Sequence, residues 1–131
     1  MKQILNNLKE SLLHVPYTFK HICVLYKLQW KYLGYIKFPF HDMDKLFMYI
    51  FCGFLGVKRI SKIHRKYASH HLSKDKKNAT YSDILEAVLD WESARYTKPD
   101  KPLNAWETCL KYYPEWESLV DIVLTAYNIP K

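Results

Sequence analysis

The sequence predicts an all-α fold: a single domain over residues 1–131, built as a bundle of six to seven helices. Three observations carry this. The 131 residues include only three glycines, too few for the many turns of a β fold. Apolar residues recur at helical spacing over long stretches. Hydrophobic residues make up 49% of the chain and aromatic ones 16%, enough to fill one core.

Residues 2–13 read as an amphipathic helix with Ile4, Leu5, Leu8 and Leu12 on one side. Pro16 interrupts it, because an interior proline lacks an N–H and crowds the preceding turn. Residues 17–33 form a second helix, apolar around most of its circumference and therefore central and largely buried. Gly34 ends it, and Pro39 opens a third helix over 40–51 that carries His41 and Asp42 in its first turn. Gly53 and Gly56 mark the next break, and residues 57–72 make a fourth helix. SKDKKNA (73–79) is a solvated loop. Thr80 and Asp83 form a capping box at the head of a fifth helix reaching about Tyr96. KPDKP (98–102) is a turn, residues 103–113 a sixth helix, and Pro114 opens a last helix that ends near Asn128.

Charge is unevenly distributed along this frame. Residues 1–77 hold fifteen Lys/Arg against four Asp/Glu, a balance of +11, whereas residues 78–131 hold five against nine, a balance of −4. All six histidines precede position 72. A basic, histidine-rich part followed by an acidic part points to an anionic ligand and a metal; an ordinary lysine-rich surface is the other reading. LFMYIFCGFLGV (46–57) is too short to span a bilayer, where about 20 residues are needed. The N-terminus has no signal-peptide pattern. Cys23, Cys52 and Cys109 are odd in number and scattered, which suits reduced, buried thiols in a cytoplasmic protein with no membrane partner.

On the fourth helix, His64 and His71 are seven apart and share a face, with His70 turned roughly 100° away. His21 lies within the buried second helix, where an imidazole needs a hydrogen-bond partner or a metal. On the fifth helix Ile84, Leu85, Val88, Leu89 and Trp91 supply the apolar stripe, with Asp83, Glu86 and Asp90 forming an acidic series. Each feature also has a plain structural use. Asp42 could serve the dipole of its helix, His21 could be a satisfied core histidine, and the acids could be a solvated edge. Tyr67 and Trp91 read as core rather than as base-stacking groups, and His14 as peripheral.

Taken in order, His21, then His41-Asp42-Met43-Asp44-Lys45, then His64, His70-His71 and Asp90, the chain resembles the HD-domain metal-dependent phosphohydrolases. The HD-x-x-K stretch, the later H-x5-H-H and the tail DWESARYTKPDKPLNAWE are similar to those of a family of small bacterial and phage proteins. The resemblance covers roughly residues 17–110. It implies that His41, Asp42, Asp90 and His21 hold one divalent metal, with Glu86 competing for the late position. It also implies that His64 with His70 or His71 holds or approaches a second. Asp42 would orient a metal-activated water, and Lys45 with Lys62, Arg65 and Lys66 would hold substrate phosphates. Histidine and carboxylate ligands suit Mn, Fe, Co, Ni or Zn. The expected substrate is a nucleotide or other phosphate ester. A non-catalytic nucleotide-binding or nucleic-acid-binding module is the alternative.

Overall fold

In a computed structural model of the chain, residues 1–68, 70–72, 79–97 and 104–131 are described. Among them the protein is all-helical: α1 (Lys2–Leu33), α2 (Met43–Phe51), α3 (Val57–Tyr67), α4 (Tyr81–Thr97), α5 (Ala105–Tyr112) and α6 (Glu117–Ala126). Two 3-10 turns, Gly53–Leu55 and Pro114–Trp116, precede α3 and α6. No helix of the described residues is long and apolar enough to cross a membrane. The expected loop at 73–79, except for Ala79, and the expected turn at 98–102 lie outside the described residues.

The chain forms two compact units: Met1–Cys23 with Pro39–Ala68, and Val24–Phe38 with Ser69–Lys131. In the first unit α1 continues through Pro16 rather than breaking there. Leu12, whose carbonyl loses its N–H donor to the proline ring, is exposed, as is Pro16, so water can satisfy that carbonyl. Packing on both sides of the proline favours continuity. The Ser11 hydroxyl, fully buried, donates to the Gly53 carbonyl at 3.0 Å, and His14 lies against the buried Tyr49 ring, 5.4 Å between centroids.

Ile4, Leu5, Leu8 and Leu12 prove exposed; the side of α1 turned to the rest of its unit is polar, through Asn7 and Ser11. The two glycines explain why. A Cβ at Gly53 would stand 3.1 Å from the Ser11 Cβ. Gly56, at φ 88°, is met equally closely by the Asn7 side chain, whose Nδ2 donates to the Phe54 carbonyl at 3.0 Å. Backbone and helix approach closely here: Ser11 and Asn7 make the hydrogen-bonded contacts, and Leu8 reaches Gly53 only with a methyl, 3.4 Å from where a Cβ would stand.

α3 ends at Tyr67, short of the expected residue 72, and Ala68 is extended. His64, Arg65 and Lys66 occupy its last turn, where cations complement the helix dipole. Beyond it, serine and histidines propagate a helix weakly. Tyr67, expected in the core, is 75% exposed.

The second unit holds a larger apolar core. Leu25 and Leu28 from α1 pack with Leu72, with Ile84, Leu85, Ala87, Val88 and Leu89 of α4, with Ala105 and Cys109 of α5, and with Val120, Val123 and Leu124 of α6. The stripe expected on the fifth helix is therefore buried as read, and Trp91 packs against it, stacked on Tyr113 at 4.8 Å. The fully buried Gln29 pins the reversal after α1: its Oε1 accepts from the Lys37 and Phe38 N–H groups at 2.9 and 2.6 Å. The Thr80–Asp83 capping box forms reciprocally, at 3.1 and 3.0 Å. All three cysteines are free; Cys109 is buried, Cys23 and Cys52 only half-buried.

Candidate metal centre

His41 and Asp42 do not lie on a helix. They end a turn over residues 39–42, closed by the Met43 N–H donating to the Phe40 carbonyl, and α2 starts at Met43. Asp42 is the residue immediately before the helix, and its carbonyl accepts the first helical hydrogen bond, from Leu46. Its side chain makes no capping bond, and its backbone is left-handed, φ 56° and ψ 12°. Aspartate tolerates this region better than most residues, at a cost of about 1 kcal/mol. The expectation that Asp42 sits in a first helical turn is thus corrected, and with it the simpler use of its carboxylate as a cap. The strained turn directs that carboxylate elsewhere.

It points at three imidazoles, each from a different element of the first unit. His21 of α1 brings Nε2 to 3.3 Å from Asp42 Oδ2, and His41 of the turn brings Nε2 to 3.5 Å from the same oxygen. His64 of α3 places Nε2 2.9 Å from Asp42 Oδ1. The His21 and His41 Nε2 atoms are themselves 3.3 Å apart. One ligand atom from each of His21, His41 and Asp42 lies within 4.8 Å of the others, a group with the geometry to hold a metal ion. His41, Asp42 and His64 are all buried, and His21 is half-buried. The two nitrogens and the carboxylate of the His21, His41 and Asp42 group suit a divalent transition metal, since neutral imidazole and carboxylate are its ordinary ligands, and His64 approaches the other oxygen of Asp42.

The other end of the His64 ring is also engaged: Nδ1 lies 2.8 Å from Oδ2 of Asp44, in the first turn of α2. Electrostatics follow from this arrangement. Burial pushes the Asp42 carboxyl up, but hydrogen bonds with His21 and His64 and the charge of His41 outweigh it and hold it well below the usual carboxylate range. Burial lowers the His64 pKa, yet hydrogen bonds to Asp42 and Asp44 and their charges raise it to about 9. Burial likewise raises Asp44, but its bond to His64 brings it below its ordinary value. Without a metal, therefore, His64 is an imidazolium clasped between two carboxylates.

The remaining expected residues fall as follows. Lys45 is half-buried on α2, one turn after Asp42. Lys62, Arg65 and Lys66 are exposed on α3, with Lys62 and Lys66 two residues either side of His64 and so near the opposite side of that helix. Lys62 borders an open groove with Lys58, Arg59, Asn7 and Gln3. His70, His71, Glu86 and Asp90 belong to the second unit. There His70 is buried and its Nδ1 lies 2.6 Å from Glu86 Oε2, with the His71 ring 4.3 Å from its own. His70 and His71 lie beyond α3, so the helical face expected to join His64 with His71 does not exist. Glu86 and Asp90, one turn apart on α4, are both half-buried.

Two acids that carry structural bonds escaped the sequence reading. Asp44 was legible only as one letter of HDMDK; nothing local announces its bond to a histidine twenty residues on. Glu92 is fully buried, accepting from Arg95 Nε at 2.8 Å and from the Ala105 N–H at 3.0 Å, and so ties α4 to the start of α5. Its position beside the buried Leu85, Val88 and Leu89 series was the available signal. No family model, curated protein or solved structure matches the chain.

Proposed function

We propose that the chain is a metal-dependent phosphohydrolase acting on a nucleotide or another phosphate ester. One observation carries this reading: three imidazoles converge on a buried carboxylate that a strained turn withholds from helix capping. A core imidazole needs one acceptor, and a single carboxylate with three imidazoles around it is an economical ligand set but an elaborate way to satisfy polar groups. His21, His41 and Asp42 would hold one ion, and His64, against the other oxygen of Asp42, would hold or approach a second; Mn, Fe, Co, Ni or Zn fits the donors. A divalent ion held there would supply Lewis acidity and lower the pKa of a bound water, so that hydroxide would be available as the nucleophile near neutral pH.

The chain's own residues supply the rest. Asp42 brings a negative charge to the site, in surroundings where little water competes for it. Lys45, one turn along α2, offers a flexible cation for a phosphate oxygen. Exposed Lys62, Arg65 and Lys66 add to a positive field that draws anions toward the molecule. The resemblance to HD-domain enzymes in the order of His21, His41-Asp42 and His64 supports the same reaction class.

The test is metal analysis of the protein purified without added metal, followed by phosphate release from p-nitrophenyl phosphate and nucleotides after loading with Mn, Co or Zn. Metal-dependent release that is lost in Asp42→Ala and His41→Ala supports the reading. A protein that takes up none of Mn, Fe, Co, Ni and Zn overturns it. Nucleotide binding without turnover would favour the non-catalytic module. Metal-independent, steeply salt-dependent affinity for DNA or RNA would favour nucleic-acid binding.

A further inference from the structure

We propose that Asp44 is a positioning residue of this centre: it holds His64 by Nδ1 so that Nε2 is presented toward Asp42, and thereby sets the metal affinity without touching the ion. The inference rests on the metal-centre reading above and assigns a role to a residue outside the ligand set.

His64 has a carboxylate at each end of its ring, Asp42 Oδ1 at 2.9 Å from Nε2 and Asp44 Oδ2 at 2.8 Å from Nδ1. The two acids are not equivalent. The Asp42 side chain is 8% exposed and is approached by His21 and His41 as well; the Asp44 side chain is 51% exposed and stands on the outer side of His64. Asp42 is therefore the ligand-side acid and Asp44 the outer one. An imidazole that gives Nε2 to a metal keeps its proton on Nδ1, and a buried N–H needs an acceptor. Asp44 is that acceptor. It is well fixed for the task, because it lies in the first turn of α2, which packs against α3, where His64 follows the buried Ile60 by one turn. Turning the His64 ring over would break the Nδ1–Asp44 hydrogen bond and carry Nε2 away from Asp42, inside packed structure. A carboxylate on Nδ1 also makes the imidazole a stronger electron donor through Nε2.

The experiment measures Co and Zn affinity of the full chain by competition with a chromophoric chelator, in wild type, Asp44→Asn, Asp44→Ala, His64→Ala, the Asp44→Ala/His64→Ala double variant, His41→Ala and Asp42→Ala. Circular dichroism and thermal melts establish that each is folded. Loss of an outer carboxylate weakens such sites by about 10–100-fold, and that is the expectation for Asp44→Ala. Asp44→Asn, whose amide oxygen still accepts from Nδ1–H, loses less. In the His64→Ala background Asp44→Ala should add nothing, since its effect passes through the imidazole. Nitrogen NMR of the loaded wild type should show the His64 proton on Nδ1. Affinity unchanged in Asp44→Ala while His41→Ala abolishes binding overturns the Asp44 role and leaves the centre standing. An equal loss from Asp44→Ala with and without His64 also overturns it, because the effect would then come through the fold. If His41→Ala and Asp42→Ala also bind normally, the metal-centre reading and this role fall together.

Discussion

Raising the pH above neutrality should destabilise the metal-free protein through His64. Burial alone would lower the pKa of this imidazole, but its bonds to Asp42 and Asp44 raise it from 6.5 to about 9. Its contribution to stability is therefore complete below pH 6.5 and disappears as pH rises through about 9. Asp42 acts in the opposite sense. Held below its ordinary 3.8, it contributes fully above that value and is lost only in strong acid. The pair is thus at full strength between pH 3.8 and 6.5. The rise at His64 corresponds to on the order of 3 kcal/mol, present at pH 6 and gone by about pH 10. Urea denaturation of chelator-treated wild type and His64→Gln over this range measures it. Groups common to the two proteins contribute equally to both curves, so their effects cancel in the difference. The stability gap between the two should narrow by about that amount from pH 6 to pH 10. Curves that stay parallel would refute the clasped imidazolium and the electrostatics built on it.

Metal binding should run against this pH preference. His64 must surrender the Nε2 proton to accept an ion, so titration calorimetry near pH 7 should give an enthalpy that changes with the ionisation heat of the buffer. No buffer dependence would remove His64 from the ligand set. Glu92→Ala should cost about 3 kcal/mol in urea denaturation, because a buried N–H of Ala105 and the Arg95 guanidinium lose their acceptor. Metal affinity should be unchanged in that variant; a loss of affinity without a loss of stability would show that Glu92 serves the centre. Gly53→Ala should destabilise by about 1–3 kcal/mol, since the new methyl meets Ser11 at 3.1 Å. Thermal melts check it, and Ser11→Gly in the same chain should restore part of the loss.

How much of this was legible beforehand depends on the range of the interaction involved. Scarce glycine and helical periodicity determined the all-α class, because both act within a few residues. The Thr80–Asp83 box and the buried Ile84, Leu85, Val88 and Leu89 stripe were likewise readable, each being a property of one helix and its own hydrogen bonds. The sequence also singled out His41 and Asp42 as neighbours worth explaining. Other features were decided only by tertiary structure. Pro16 lies inside α1 because packing at Ser11 and His14 outweighs a local penalty. The apolar side of α1 is left exposed because Gly53 and Gly56 bring backbone against its polar side. His41 and Asp42 stand in a left-handed turn rather than a helix, which is what frees the carboxylate. That carboxylate meets His21 and His64, each some twenty residues away along the chain, and Asp44 reaches the same His64 from the next helix. Periodicity and propensity carry no information over that separation. The folding of α1, α2 and α3 around the turn does, because it alone fixes which of six histidines face one acid.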